Sequence, residues 1–183
     1  TFDTIIDDHT YEDMDGNTTV ITKAADRAAA VGILVCNSAG NEGDGSWYYI
    51  GAPADGDSVF TIGAVDINGN SVSYSSHGPT FDGRLKPNVV GQGAGTGVVA
   101  SNGTVAYGNG TSYSSPLIAG ACASFMSAFP ELSNMEVMDI IQSTASQADN
   151  PDNSMGYGIP NFAKAYLELK GIDISTENII SIL

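Results

Sequence analysis

Positive charge is scarce: six Lys and Arg stand against 21 Asp and Glu in 183 residues, a formal charge of −15. Such a field repels phosphate backbones and cannot drive binding by counterion release, so no nucleic-acid partner is expected. Charge of either sign is also thin, 15% of residues against roughly 25% in an average globular protein. With 42% hydrophobic residues, this composition excludes disorder from excess charge. Nowhere does an apolar run approach the roughly 20 residues of a membrane-spanning helix, and no basic stretch followed by an apolar one opens the chain. Two cysteines, Cys36 and Cys122, are too few for a disulfide scaffold or a thiolate metal site. Both sit among small apolar residues and suit buried small hydrophobes. His9 and His77 are the two histidines, and neither has metal-ligand spacing to a carboxylate cluster, so zinc is not expected. Internal repeats and low-complexity tracts are missing too.

What is present reads as one domain of alternating helices and strands. After an acidic opening, the stretch from Thr18 or Thr19 to Val31 (VITKAADRAAAV) has helical spacing and Gly32 as its C-terminal stop. Ile33–Asn37 and Val59–Val65 are short continuous apolar runs, the pattern of strands buried on both faces of a parallel sheet. A Gly-rich structured loop over Ser38–Asp57 separates them, and Asn68-Gly69 predicts a tight hairpin turn. Val89–Val90, Gly97–Ala100 and Thr104–Tyr107 are further strand candidates. Thr111–Phe129 is small and apolar on all sides, which predicts a long, almost wholly buried helix under the sheet. Two more helices are expected, over Asn134–Gln147 with Asn134 as cap and over Pro160–Leu169 before Gly171. The class is α/β with a parallel sheet, and its site is expected at the carboxyl ends of the strands.

Two segments lie there. Gly108-Asn109-Gly110-Thr111-Ser112 places a serine between a glycine-rich turn and a helix start, where orphan N–H groups and the helix dipole favour an oxyanion. The same residues also suit an ordinary helix cap. Pro116 lacks the N–H that would bond the Ser112 carbonyl, so either the first turn is irregular or the regular helix starts later. Asn37-Ser38-Ala39-Gly40-Asn41-Glu42-Gly43 follows a strand and offers a side-chain amide to a developing oxyanion, although Asn and Gly also build plain turns. Asp13, Asp15 and Asn17 alternate as calcium ligands can, but Thr18 stands where an EF-hand needs Gly, and a solvated acidic loop fits better. No cofactor is called for, with calcium the one cation worth considering.

In order along the chain, NSAGNEG, GAPADGDSVFTIGAVD, YSSHGPTFDGRLKPNVVGQG and NGTSYSSPLIAG resemble the subtilisin-like serine peptidases, the subtilases. The resemblance runs from about Ala24 to Ala165. It implies the C-terminal portion of a subtilisin-like three-layer fold, with the long buried helix following the nucleophile. It further implies Ser112 as nucleophile, Asn41 as side-chain oxyanion donor beside the Ser112 N–H, and Ser38, Ala39 and Gly40 as walls of a substrate pocket, with Gly110 and Thr111 as further substrate-binding residues. Tyr113, Leu117, Asn88 and Gln92 depart from the residues common in the family.

The family's Asp-Ser/Thr-Gly and His-Gly-Thr-His-type segments, which carry the other two triad members, do not occur in this sequence. Residues 1–171 are therefore expected to be the C-terminal part of a subtilase catalytic domain, with 172–183 a tail or the start of a linker. The resemblance implies a polypeptide substrate and a secreted or cell-surface protein. The chain alone is expected to be catalytically silent, and its first strand is expected to be an open sheet edge that pairs with the N-terminal part of the domain or self-associates. The rival reading is a non-catalytic pseudo-peptidase that binds a partner.

Overall fold

Thr19 opens the first helix by accepting the Thr22 N–H at its hydroxyl, and helix α1 follows over Val20–Ala30. Its end is closed by Gly32, whose φ of 95° places it in the left-handed region. There the Gly32 N–H donates to Ala29 O and the Ile33 N–H to Ala28 O, the paired bonds of a glycine-terminated helix. The computed structural model describes residues 8–172; the expected tail beyond Ile172 lies outside the described residues.

Strands β1 (Val35–Ser38), β2 (Val59–Val65) and β3 (Val89–Gln92) form a parallel sheet in that order. Val35 pairs with Val59, and Ile62 with Val89. Every residue of β2 is buried. By contrast, all four residues of β1 are only half-buried, which corrects the expectation of a strand enclosed on both faces. The physical reason is position: among the described residues β1 has a partner on one side alone. Separately, β4 (Thr96–Val99) and β5 (Val105–Gly108) pair antiparallel as a hairpin before the long helix. At the Asn68-Gly69 turn the Asp66 carboxylate accepts the Asn68 and Asn70 N–H groups.

Helix α2 (Thr111–Ala128) packs across all three parallel strands. It is not wholly buried. Thr111, Ser114, Ile118, Cys122 and Phe125 form one buried stripe, while Ser112, Leu117, Gly120, Ala123 and Ser124 are exposed. Small apolar residues on every face say that close packing is tolerated, not which face receives it. Pro116 lies inside the helix: the regular helix starts at Thr111 rather than later.

Helix α3 runs over Asn134–Ser143, shorter than the expected Asn134–Gln147. Its cap is Ser133, in a reciprocal box with Glu136. The Asn134 side chain instead donates to Ala29 O and Ile33 O and ties α3 to the end of α1. Helix α4 (Phe162–Leu169) is capped by Asn161 and followed by Gly171 at positive φ. The main core joins Phe60, Ile62 and Val89 from the sheet to Ile118, Cys122 and Phe125 of α2 and to Val137, Met138 and Ile141 of α3.

The other face of β2 is closed differently. Lys86 is buried, and its ammonium donates to Val59 O, Thr61 Oγ1 and Asn88 Oδ1. Burial pushes its pKa down from 10.5 to about 7.

Candidate active site

The chain leaves β1 at Ser38, and the Ala39 N–H extends the pairing by donating to Ile62 O at 2.9 Å. Gly40 then turns the backbone with φ 114°, where a Cβ would lie 2.7 Å from the Ser76 hydroxyl; glycine is required on both counts. Ser76 holds this turn from the opposite side. Its N–H donates to Gly40 O at 3.0 Å, and its hydroxyl accepts the Glu42 N–H at 3.0 Å. One residue on, the Gly43 N–H donates to Tyr74 O at 2.9 Å.

The second half arrives through Gly110, whose φ of 146° again demands glycine. The Gly110 N–H donates to Gly93 O at 2.8 Å and lies 3.2 Å from the Tyr74 hydroxyl. That hydroxyl in turn donates to Gly93 O at 2.8 Å. Burial raises the Tyr74 pKa, which keeps the phenol protonated and able to donate. Thr111 and Ser112 are the first two residues of α2.

Between these halves, residues 70 apart in sequence meet. Asn41 Oδ1 accepts the Thr111 N–H at 2.8 Å and the Thr111 hydroxyl at 3.0 Å. A backbone N–H can only donate, so the atom facing Thr111 must be the carboxamide oxygen. The Asn41 NH2 is therefore turned the other way, and among the described residues it donates to no protein acceptor. Thr111 also joins Gly40, whose N–H lies 3.3 Å and whose carbonyl lies 3.2 Å from the Thr111 hydroxyl.

Ser112 is exposed at the helix start, and its hydroxyl makes no hydrogen bond among the described residues. The first turn of α2 holds the Ser112 N–H and the positive end of an 18-residue helix, and the Asn41 carboxamide is bonded to that turn at Thr111, with its NH2 unengaged among the described residues. This arrangement can stabilise an anion.

The remaining residues nominated from the sequence divide. Ser38 and Gly40 are half-buried, whereas Ala39 is fully buried against Ile50 and Ala54. Gly110 and Thr111 are buried as well, so Thr111 acts here through Asn41 and Gly40 and offers no open surface. His9 Nδ1 lies 3.3 Å from the Asp13 carboxylate, and the His77 ring stacks on Tyr48 at 4.7 Å. The Asp15 carboxylate accepts the Asn17 and Thr18 N–H groups and the Thr18 hydroxyl. Among the described residues no three His, Cys, Asp or Glu side chains cluster as metal ligands. Sequence reasoning assigned no role to Tyr74 and Ser76; the one available signal was the YSSHGP motif itself.

Comparison with known proteins bears on what this geometry belongs to. The Subtilase family model matches residues 9–158. This chain is a member of the subtilase family. It is 40% identical over 141 residues to subtilisin DY of Bacillus licheniformis, covering 76% of this chain and 48% of that protein. To subtilisin E of Bacillus subtilis (strain 168) it is 35% identical over 133 residues, covering 72% of this chain and 33% of the relative. The chain thus spans between a third and a half of the length of these relatives. Among solved structures, the self-cleaved protease domain of PatA superposes with a TM-score of 0.68 at 22% identity, covering 83% of this chain and 56% of that one. The prenylagaramide maturation protease PagA gives 0.66 at 21% identity, covering 82% and 55%. Both share the fold of this chain. Among the described residues no helix is long and apolar enough to cross a membrane.

Proposed function

We propose that this chain is the nucleophile-bearing part of a subtilisin-like serine endopeptidase, secreted or displayed at the cell surface, that hydrolyses polypeptides through an acyl-enzyme on Ser112. The observation that carries this reading is the Asn41 carboxamide, anchored at Thr111 through its oxygen so that its NH2 is left for an incoming group. In the reaction the Ser112 hydroxyl attacks the scissile carbonyl carbon and loses its proton to a base. The carbonyl oxygen becomes an oxyanion held by the Asn41 NH2 and the Ser112 N–H, with the dipole of α2 behind them. Collapse expels the amine, and water then releases the acyl group by the same route. Ser38 and Gly40, half-buried beside Asn41, border the substrate backbone. The reading needs no cofactor.

The base comes from another polypeptide segment. The sequence has two histidines, and neither His9, paired with Asp13, nor His77, stacked on Tyr48, is hydrogen-bonded to Ser112. A serine hydroxyl is a poor nucleophile until a positioned base takes its proton, and donors that stabilise an oxyanion cannot do so. The 183 residues alone are therefore catalytically silent. The open edge of β1 supplies the seam at which the complementary segment, or a second copy, adds a strand.

Fluorophosphonate labelling tests this directly. Ser112 in the isolated chain is expected to label slowly or not at all, and rapidly once an Asp- and His-bearing subtilase segment is supplied. Rapid stoichiometric labelling of the isolated chain, lost in His9→Ala or His77→Ala, would overturn the reading.

A further inference from the structure

Acyl transfer uses neither cysteine, yet the two stand together. Cys36 lies on β1 at the open sheet edge, half-buried, and Cys122 lies on the buried stripe of α2. Both line one groove of about 330 Å³ between strand and helix, with Leu34, Ala119, Ala123 and Met126 completing its walls. Cys122 is buried as expected, whereas Cys36 is half-buried and lines a groove in which its neighbour is the other thiol.

We propose that Cys36 and Cys122 form a reversible intrachain disulfide, made by exchange with a low-molecular-weight disulfide, that links the open strand β1 to helix α2. The two sulfurs differ in a way that orders the steps. The neighbouring Cys122 thiol holds Cys36 below the ordinary thiol range, while Cys36 and burial push Cys122 up. Cys36, the more accessible and the more easily deprotonated, attacks one sulfur of the small disulfide and releases one small thiol. Cys122 then loses its proton to solvent and attacks the Cys36 sulfur of the mixed disulfide, releasing the second small thiol. Two protein thiols are oxidised and one small disulfide is reduced to two thiols, so electrons and protons balance.

The placement gives the link a consequence. Asn41 follows Cys36 by five residues on the same chain direction, and Ser112 precedes Cys122 on the same helix. The Cys36–Cys122 bond joins the strand that leads into Asn41 to the helix that carries Ser112, and it closes a loop of roughly 85 residues. Closing a loop of this length removes much of the conformational freedom of the unfolded chain. The link therefore tightens the half of the molecule whose strand is otherwise paired on one side only.

The test takes the full chain, reduced and folded, through a series of glutathione redox buffers, with quenching by alkylation and mass spectrometry. The expected product is a monomer lacking both free thiols, with the Cys36 and Cys122 peptides joined. Its unfolding midpoint should stand roughly 5–15 °C above that of the reduced chain, a difference absent in Cys36→Ser, whose half-buried position spares the core. A stable glutathione adduct on Cys36 beside a free Cys122 would overturn the proposal. So would a disulfide-linked dimer, two thiols that stay reduced in the most oxidising buffer, or a joined pair with no rise in midpoint.

Discussion

Strands β1 and β2 are parallel neighbours that both begin in apolar runs, yet β2 is enclosed and β1 open. VFTIGAV in β2 is buried at every position, with Phe60 and Ile62 against the core shared with α2 and with Lys86 hydrogen-bonded at Val59 and Thr61. VCNS in β1 is half-exposed throughout. An apolar run therefore reports that a strand forms, whereas its place in the sheet decides what the run packs against. The same contrast divides function. The loops that follow the strands position Asn41 and the start of α2 through Ser76, Tyr74 and Thr111, and the open side holds Cys36 and the strand edge.

The largest expected effect lies on the closed side, at Lys86. Its folded pKa of about 7 stands below the ordinary 10.5, so the unfolded chain binds this proton more readily. The contribution is most favourable above pH 10.5, shrinks as pH falls toward 7, and is constant below that, a swing on the order of 5 kcal/mol. Urea denaturation across this window should show stability rising with pH in the wild type and a flatter dependence in Lys86→Met. Parallel slopes would mean that Lys86 is charged in the fold. Asn88→Asp, which places a carboxylate beside the ammonium, is expected to flatten the slope as well.

A matched pair addresses the comparison itself. Val59→Ala in β2 should cost about 2–3 kcal/mol, and Val35→Ala, directly opposite it in the register, about 1 kcal/mol or less. Equal losses would show that β1 is as enclosed as β2 in solution. A smaller effect concerns the joint between the site halves: Thr111→Val removes the hydroxyl shared with Asn41 and Gly40 and should destabilise by about 1–2 kcal/mol. In the assembled peptidase it should also lower kcat more than it raises KM, since Thr111 positions Asn41. A change confined to stability would count against that positioning role.

Much of the fold was legible because local chemistry decided it. Thr19 and Gly32 bound α1, the seven residues of β2 match the apolar run, and the switch to small residues at Thr111 marks the start of α2. The apolar run of β1 suggests enclosure while the missing family segments suggest an open edge, and the edge is what forms; the burial of α2 was not legible, since it depends on which surfaces meet rather than on which residues present them. Ser133 rather than Asn134 caps α3 because its hydroxyl reaches the Glu136 N–H, a difference of one residue that composition does not resolve. At the site, the glycine-rich turns around Asn41 and Ser112 equally suit a plain turn and a helix cap, and the two residues are nominated through the resemblance of their motifs to the subtilases. The hold of Thr111 on Asn41 could not be foreseen, because it joins residues 70 apart, and neither could the clamp that Ser76 places on Gly40 and Glu42.

The central claim is that the Asn41 NH2, left free by the bond from Thr111 to Oδ1, stabilises charge developing on the substrate oxygen beside Ser112. Steady-state kinetics of Asn41→Ala in the assembled peptidase test it most directly. The interaction is realised mainly in the transition state, so kcat should fall by roughly 10²–10³-fold, the range measured on a subtilisin, with KM nearly unchanged. An unchanged kcat, or equal and opposite changes confined to KM, would contradict it.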